Sequence, residues 1–344
     1  MRSFGILITT TMALVVSSAV VAADNAPGAR TVTPANYARA ETDRSFFNIQ
    51  QQAGGINHFF KIRKPTPLDQ QTVVRMNKDT LYSAAIVDTS KGATITIPKM
   101  PPGRYFSVEL VDNDHYAPGV IYTSGVHKLP TDTRYLATLV RIQLLKPNDP
   151  ADVALVNKLQ DQYVITAGSG VPMPKPNWDK ASLEKLTAQY NRDYAKYDRN
   201  PDDWMAARGV ADDKTRQIYV AAGWGGLPNK DAAYLNYTPK LPATGCYTAT
   251  YKTPENAAFW SITVYGGDGY MKSENNILNL ANRKAAPDGS TKVYFGSKAD
   301  CGDVPNRLEI SDGWNFTMRV YRPGPSVRDG SYKLPAVQPV KAKA

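Results

Sequence analysis

Alternation of apolar and polar residues recurs in two parts of the chain, and this period of two predicts β-strands. The clearest examples are residues 94–97 (T-I-T-I) and 105–111 (Y-F-S-V-E-L-V), which flank the turn sequence Pro101-Pro102-Gly103. Further strand-like segments are residues 139–144, 248–251, 259–265, 292–295 and 314–321. Short strands separated by turn residues predict a β-sandwich in each part.

A helical spacing of apolar residues replaces this alternation near the start and in the middle of the chain. Residues 37–54 predict one helix, which ends at Gly54-Gly55. Between residues 150 and 225 a stripe recurs at steps of three and four: Leu183, Leu186, Tyr190, Tyr194 and Tyr197. The stripe predicts core packing rather than a ligand platform. A short helix is expected from Asn200-Pro201 to Gly209, because a cap residue, a proline and a terminal glycine follow in order.

These patterns place the chain in the mainly β class, with two β-sandwich domains joined by a helical connector. The expected boundaries are residues 36–148 for the N-terminal domain, 149–240 for the connector and 241–340 for the C-terminal domain. A length of 344 residues suits two domains. The 25 prolines and 20 tyrosines fit a turn-rich β architecture.

The first residues predict a secretory signal peptide. Arg2 is the only charged residue before Asp24, and the apolar stretch between them ends in the small residues Ala22-Ala23. We expect cleavage near Ala23, a flexible leader over residues 24–35, and a periplasmic or secreted location. The alternative is a retained membrane anchor, but threonines and serines interrupt the apolar run, which is shorter than the roughly 20 residues that a spanning helix needs. No later segment has that length, so stable membrane insertion is not expected.

The charge and the cysteines narrow the choice of partner and compartment. The formal net charge is +10, but basic and acidic residues are interleaved along the chain. Interleaved charges indicate a solvated basic surface, and no nucleic-acid partner is expected. Cys246 and Cys301 are 55 positions apart. A redox pair would place its cysteines close together, so a structural disulfide is the preferred interpretation in an oxidising compartment.

Residues 77–83 (N-K-D-T-L-Y-S) resemble the N-R-D-T-L-Y-S signature of a bacterial family known as domain of unknown function 1254, or DUF1254. Residues 103–105 (G-R-Y) add to this likeness. Residues 256–265 (N-A-A-F-W-S-I-T-V-Y) and 318–323 (M-R-V-Y-R-P) are similar to its usual companion, DUF1214. The resemblance implies two jelly-roll-like β-sandwiches joined by helices, and it implies no activity. The aromatic-glycine helix that opens many family members is not evident in this sequence. The resemblance therefore does not extend to the contacts made by that helix.

Common catalytic signatures are absent from the sequence, including H-E-x-x-H, G-x-S-x-G, the P-loop, G-x-G-x-x-G and C-x-x-C. The three histidines are His58, His115 and His127. They leave few residues from which to build a metal site or a Ser-His-acid triad. We therefore expect no metal and no cofactor.

A concentration of polar residues in the N-terminal domain is the strongest candidate for a site. An aspartate beside lysine and arginine stays ionised and could orient a polar ligand or a general acid. The structural alternative is a buried Asp-Arg-Tyr network that holds a strand crossing. The candidate ligand-binding residues are Arg75, Asn77, Lys78, Tyr82, Arg104 and Tyr105, and the candidate acid–base residues are Asp79, Asp112 and His115.

Two further signals are weaker. Residues 112–114 (D-N-D) are similar to the start of a calcium loop, but Ala117 and Thr123 replace its glycine and glutamate, so an Asx-rich turn is the better interpretation. An aromatic platform for sugar rings would need exposed side chains, whereas alternation places Trp260 in a core. The residues considered for that platform are Trp224, Trp260, Tyr265, Tyr270 and Trp314.

The leading functional hypothesis is an exported envelope protein that binds a polar or anionic small molecule or glycan in a β-sandwich pocket. The alternative is a metal-independent hydrolase of envelope or extracellular polymers, which would need two acid–base groups to converge in an open cleft. A third hypothesis is a structural envelope component without a substantial pocket. Formation of a homo-oligomer is compatible with each.

Overall fold

The structure of the protein is a computed structural model that describes residues 28–71, 74–197 and 200–340. The predicted signal peptide, residues 1–23, lies outside the described residues. The chain divides into two compact units. Unit 1 takes in the residues up to Lys64, Leu81–Gln143 and Val153–Pro228. Unit 2 takes in Pro65–Thr80, Leu144–Asp152 and the residues from Asn229 onward.

Helices and strands alternate irregularly through the first two thirds of the chain. In order they are α1 (Tyr37–Ala53), β1 (Phe60–Lys61), a 3-10 turn (Leu68–Gln70), β2 (Thr80–Asp88), β3 (Ala93–Ile97), β4 (Phe106–Asp112), β5 (Gly119–Ile121), β6 (Gly125–Lys128), β7 (Tyr135–Gln143), α2 (Pro150–Gln160), β8 (Val164–Ala167), α3 (Lys180–Tyr194) and α4 (Arg216–Gly223). The strands of unit 1 form a five-stranded sheet in the order β1-β2-β7-β4-β5 and a three-stranded sheet in the order β6-β3-β8. Strand β4 pairs antiparallel with β7, and β3 pairs antiparallel with both of its neighbours.

The core of unit 1 lies where α1, α3 and α4 cover one face of the five-stranded sheet. Ala84 of β2 and Leu139 of β7 belong to the same buried cluster as Phe46 of α1. The predicted stripe on α3 packs here, with Leu183 and Tyr194 buried and its other residues half-buried. The prediction of core packing for this stripe is therefore confirmed.

Helix α1 closely matches its predicted range because a pair of glycines in the sequence marks its end. Gly54 has a φ of 73°, and its N–H and that of Gly55 donate to the carbonyls of Gln51 and Gln50. Glycine adopts this left-handed geometry without the steric cost of a Cβ atom. The short helix expected from Asn200 to Gly209 is wrong, since turns occupy this segment instead.

The last third of the chain is built mainly of strands. In order the elements are β9 (Ala232–Tyr237), β10 (Tyr247–Tyr251), β11 (Trp260–Tyr265), β12 (Ile277–Asn279), β13 (Thr291–Phe295), α5 (Lys298–Cys301), β14 (Arg307–Leu308), β15 (Asn315–Tyr321), α6 (Pro325–Arg328) and β16 (Gln338–Pro339). They form two four-stranded sheets, β12-β11-β15-β9 and β14-β13-β10-β16. The first of these is antiparallel throughout, and the second contains one parallel pair, β13 with β14.

The two sheets of unit 2 share one core. Trp260 and Phe316 from the first sheet belong to the same buried cluster as Tyr251 and Phe295 from the second. Trp224, Trp260, Tyr265 and Trp314 are all buried, so they cannot present a flat platform to a sugar ring. The core interpretation of Trp260 is confirmed.

A disulfide joins Cys246, just before β10, to Cys301 at the end of α5. The bond links the start of β10, an inner strand of the second sheet, to α5, the short helix between β13 and β14. Disulfides are typical of proteins outside the cytoplasm. In the part of the chain that the structure describes, no helix is long and apolar enough to cross a bilayer.

The mainly β class is confirmed, while the jelly-roll detail stays a prediction. The units differ from the predicted boundaries in two respects. Helices α3 and α4 belong to unit 1 because their apolar residues join the buried cluster that also contains residues of α1 and of the five-stranded sheet. Strand β9, expected in a helical connector, pairs with β15 in unit 2. Within the predicted leader, Arg30 forms a β-bridge with Trp178 and the apolar side chain of Val32 is buried.

Candidate functional site

The structure distributes the predicted site residues between the two units. The residues in unit 2 are Arg75, Asn77, Lys78 and Asp79, and those in unit 1 are Tyr82, Arg104, Tyr105, Asp112 and His115. The chain passes from one unit to the other at Thr80, inside the signature segment itself. The ligand-binding and acid–base roles of these residues stay predictions.

In unit 2, the signature segment covers the polar face of the β12-β11-β15-β9 sheet. Ser261 lies directly opposite Arg319 in the β11–β15 register, and both are fully buried. The Asp79 carboxylate accepts hydrogen bonds from the Ser261 hydroxyl at 2.6 Å and from the Tyr321 hydroxyl at 3.4 Å. The positive charge of Arg319 is attracted to the Asp79 carboxylate and opposes the rise in its pKa that burial causes.

Further contacts fix the same segment to the sheet. The Arg319 guanidinium donates to the Arg75 carbonyl at 2.9 Å and to the Tyr265 hydroxyl at 2.8 Å. The Arg75 side chain donates to Asn236 and Thr317 at 3.1 and 3.0 Å, and the Asn77 amide donates to the Tyr321 hydroxyl at 3.0 Å. These contacts favour the structural interpretation of the segment, a buried Asp-Arg-Tyr network.

The side chain of Lys78 is buried and pairs with an acidic residue that is exposed. Its side chain is 2% exposed, and its ammonium group forms an ion pair at 2.6 Å with Glu274, which is largely exposed. The ligand-binding role of Lys78 stays a prediction.

The predicted acid–base residues of unit 1 lie in a tight turn after β4. The Asp112 carboxylate accepts hydrogen bonds from the N–H groups of Asp114 and Tyr116, both at 2.9 Å, and forms an ion pair with Arg208 at 2.8 Å. This is the Asx-rich turn that the sequence favours over a calcium loop. Asp112 is 2% exposed, so it is closed off from bulk solvent.

His115 is buried in the same turn, with a φ of 64°. Its Nε2 accepts a hydrogen bond from the Gly225 N–H at 3.4 Å, and its ring lies against that of Trp224. Burial lowers the pKa of His115 to about 3, and the charge of Arg216 adds to the effect. The imidazole is therefore neutral at physiological pH.

Tyr82, Arg104 and Tyr105 make contacts along the five-stranded sheet. The Arg104 guanidinium donates to the Gln143 carbonyl at 2.5 Å, and the Tyr105 N–H donates to the Gln143 side chain at 3.2 Å. The Tyr82 ring lies 5.6 Å from the guanidinium of Arg141. These three residues are held by neighbours on β7.

A cleft of about 250 Å³ lies elsewhere in unit 1, and we name it the Trp178 cleft. Its lining comes from the start of the described chain, from α1, from the turn after β4, from β7 and from the proline-rich loop before α3. The lining residues are Arg30, Arg39, Asp43, Asn113, Tyr135, Met173, Pro174, Lys175, Pro176, Asn177 and Trp178.

Asp43 forms the floor of the Trp178 cleft and organises the side chains around it. Its carboxylate accepts hydrogen bonds from Asn113 at 2.7 Å, from Arg39 at 2.9 Å and from the Trp178 indole N–H at 2.9 Å. Asp43 is 8% exposed and Asn113 is 1% exposed. Because the buried Asp43 carboxylate accepts from three donors, its hydrogen bonds fix the positions of the Trp178 and Arg39 side chains.

The proline-rich loop that forms one wall is held just as firmly. Gln50, on α1, brackets Met173 by accepting from its N–H at 2.7 Å and donating to its carbonyl at 3.1 Å. The buried Asp88 carboxylate accepts from the Ser169 hydroxyl at 2.6 Å and from the Val171 N–H at 3.1 Å. Although burial opposes the shift, hydrogen bonds from Ser169, Ser90 and Arg134 hold the pKa of Asp88 well below its usual range.

One cation stacks on the half-buried indole of Trp178, and a second lines the same cleft. The Arg30 guanidinium lies 3.8 Å from the centroid of the Trp178 ring, and Lys175 lies on the neighbouring loop. Among the described residues, no acidic side chain forms an ion pair with Arg30 or Lys175. A concave surface with unpaired cations beside an aromatic ring suits a small anionic ligand.

The sequence analysis did not select this cleft. Its residues come from five separate stretches of the chain, and the proline-rich loop shows neither a strand nor a helix pattern. The local signal was the segment 171–178 (V-P-M-P-K-P-N-W), in which prolines hold a lysine and a tryptophan in a loop. Within the described ranges, no group of three or more metal-ligating side chains is found.

Comparison with known proteins agrees with this architecture. The fold defines a two-unit, β-rich protein. The VPA0106 protein of Vibrio parahaemolyticus aligns over 90% of this chain and 98% of its own, with a TM-score of 0.68 and 17% identity. An uncharacterized protein from Burkholderia cenocepacia aligns over 89% of this chain and 87% of its own, with a TM-score of 0.50 and 15% identity. At these identities the likeness shows a shared fold.

Two segments also match family descriptions. Residues 56–116 match the family described as protein of unknown function DUF1254, and residues 239–325 match the family described as protein of unknown function DUF1214. The predicted resemblance to this pair is confirmed. No curated protein matches the chain in sequence.

Proposed function

We propose that the protein is an exported envelope protein that binds a small anionic ligand, of the acidic-glycan kind, in the Trp178 cleft. The observation that carries this proposal is the pair Arg30 and Lys175, which line the cleft without an acidic partner among the described residues. The anionic group of a ligand would supply that partner. The disulfide between Cys246 and Cys301 supports a location outside the cytoplasm.

The size and the rigidity of the cleft support a specific site. Its volume of about 250 Å³ lies just below the ~300–1,000 Å³ of pockets for drug-sized ligands. Its floor and one wall are fixed by Asp43, Gln50 and Asp88, so this part of the cleft is ordered before a ligand binds. Order of this kind reduces the conformational entropy that binding costs.

The hydrolase alternative receives no support from an observed pair of acid–base groups. Asp79 and Asp112 are buried and belong to different units. His115 lies three residues from Asp112, but it is buried and hydrogen-bonded to Gly225. The binding function is therefore the better supported proposal.

Titration calorimetry with glucuronate tests the proposal. A double variant, Arg30→Gln with Lys175→Gln, should weaken binding at least tenfold, because each charge-assisted hydrogen bond contributes about 1.5–3 kcal/mol. A matched control, Lys230→Gln with Lys333→Gln, removes two exposed positive charges outside the cleft and should leave the affinity unchanged. Equal losses in the two double variants would show that only the net charge matters, and the proposal would then be abandoned.

A further inference from the structure

The stacked pair of Arg30 and Trp178 points to a narrower class of ligand, and this step rests on the proposed function. We propose that the ligand is a sugar acid of the size of a single ring, which binds by exchange with this pair. The carboxylate of the ligand binds the Arg30 guanidinium, which moves off the indole. The apolar face of the sugar ring then packs against Trp178 in place of the guanidinium. Arg30 and Trp178 are then the residues that determine specificity.

The first observation is that the stack closes the indole face. With the guanidinium 3.8 Å from the ring centroid, no ring can lie on that face until Arg30 moves. The backbone of Arg30 is fixed, since its N–H donates to the Asn177 carbonyl and its carbonyl accepts from the Asp179 N–H. Only the side chain of Arg30 is therefore free to swing towards a ligand.

The second observation is that Trp178 cannot follow Arg30. Its indole N–H is bonded to Asp43 at 2.9 Å, and Asp43 is held in turn by Asn113 and Arg39. The indole keeps its plane when the guanidinium leaves. The cleft then presents a fixed aromatic face beside two cations.

This exchange favours a ligand that carries both a carboxylate and an apolar ring face. A carboxylate forms charge-assisted hydrogen bonds with a guanidinium, and these are stronger than an exposed cation–π contact. A small anion without a ring draws Arg30 away but leaves the indole face bare to water. A neutral sugar cannot draw Arg30 away, so it finds the face covered. Only a sugar acid offers a new partner both to the Arg30 guanidinium and to the Trp178 ring.

The volume of the cleft sets the size of the ligand. At about 250 Å³ it is smaller than the pockets that hold drug-sized ligands. One ring fits this space, and any further sugar units must extend into solvent through the open side. The ligand is therefore a free sugar acid or the end of an acidic chain.

Emission from Trp178 provides a direct readout. The other four tryptophans, Trp204, Trp224, Trp260 and Trp314, are buried, so a ligand at the cleft changes the environment of Trp178 in particular. The protein is titrated with glucuronate, glucose and acetate, and the difference from a Trp178→Phe variant isolates the signal. We expect glucuronate to bind at least tenfold more tightly than acetate and to change the Trp178 emission, while glucose leaves it unchanged.

The outcomes separate this inference from the proposed function. If neither glucuronate nor acetate binds, the proposed function fails and the inference fails with it. If acetate and glucuronate bind equally, anion binding stands and the sugar-acid assignment is overturned. Binding of glucose as tight as that of glucuronate would also overturn it.

An Asp43→Ala variant adds a second test, with circular dichroism to establish that it folds. Without the indole hydrogen bond, Trp178 loses its fixed plane. The preference for glucuronate over acetate, measured within the variant itself, should then fall towards equality. An unchanged preference in this folded variant would contradict the positioning role of Asp43.

Discussion

Replacement of Asp79 by asparagine should destabilise unit 2 strongly. The asparagine has nearly the same volume, so the change removes a charge without opening a cavity. Arg319 is fully buried beside it, and the neighbouring carboxylate and hydroxyl groups hold its pKa above the usual value despite its burial. In the variant, Arg319 keeps its positive charge in the interior but loses the carboxylate that balances it.

The size of the effect follows from the environment of both groups. Asp79 and Arg319 attract each other electrostatically in the interior. Removal of the charge that compensates a buried charge costs about 3–5 kcal/mol. The hydrogen bonds from Ser261 and Tyr321 also lose their charged acceptor. A Tyr321→Phe control removes only hydroxyl contacts and should cost about 1 kcal/mol. We therefore expect Asp79→Asn to cost about 3–5 kcal/mol of unfolding free energy.

Urea unfolding, followed by circular dichroism and by tryptophan emission, measures this change. Because the chain has two units, the transitions are fitted for each unit if they separate. An Asp79→Asn and Arg319→Met double variant should be more stable than Asp79→Asn alone, since it no longer buries an unbalanced charge. Stability of the single variant within about 0.5 kcal/mol of wild type, a typical value for surface changes, would refute the assignment of a buried ionic network.

Three further predictions concern the rest of the fold. His115 has a pKa of about 3 in the folded protein and about 6.5 when unfolded, so its stabilising effect is complete above pH 6.5 and falls as the pH drops towards 3. Between pH 7.5 and pH 5 the unfolding free energy should fall by about 2 kcal/mol through this group, and His115→Gln should remove that slope whereas His127→Gln should keep it. Replacement of Cys246 and Cys301 by serine should lower the stability of unit 2 by about 4 kcal/mol, the value for a closed loop of this length, as measured by urea unfolding with and without reductant. Gly54→Ala should cost about 1 kcal/mol, because alanine resists the left-handed φ at the end of α1, and a variant as stable as wild type in thermal unfolding would contradict this.

The elements with clear periodicity were predictable from the sequence. Strands β3, β4, β10, β11, β13 and β15 and helices α1 and α3 lie where alternation or a helical stripe places them. Short elements with no room for a period were missed, among them β8 and β9. Strand β9 in particular owes its conformation to its pairing with β15, which is about 80 residues away in the chain. The residues of β9 and their neighbours in the sequence do not identify so distant a partner strand.

The sites depended even more on distant contacts. The sequence identified the Asp-Arg-Tyr character of the network at Asp79, but not its partners, because Ser261 and Arg319 follow about 180 and 240 residues later. The Trp178 cleft was missed because Arg30 and Trp178 lie in irregular segments that are far apart in the chain and that a β-bridge joins. Alternation and motif spacing describe one stretch at a time, whereas these sites are made by several.

The path of the chain through unit 2 has a consequence for inheritance. Residues 65–80 lie within the DUF1254 match, yet they belong to the same compact unit as the DUF1214 match. The Arg75 carbonyl in this segment accepts a hydrogen bond from the buried Arg319. A gene fragment that encodes the DUF1214 match alone would give a sheet whose charged interior face is open to water. Recombination that exchanges one family region without the other would therefore remove residues that cover Arg319, so we expect the two segments to be inherited together.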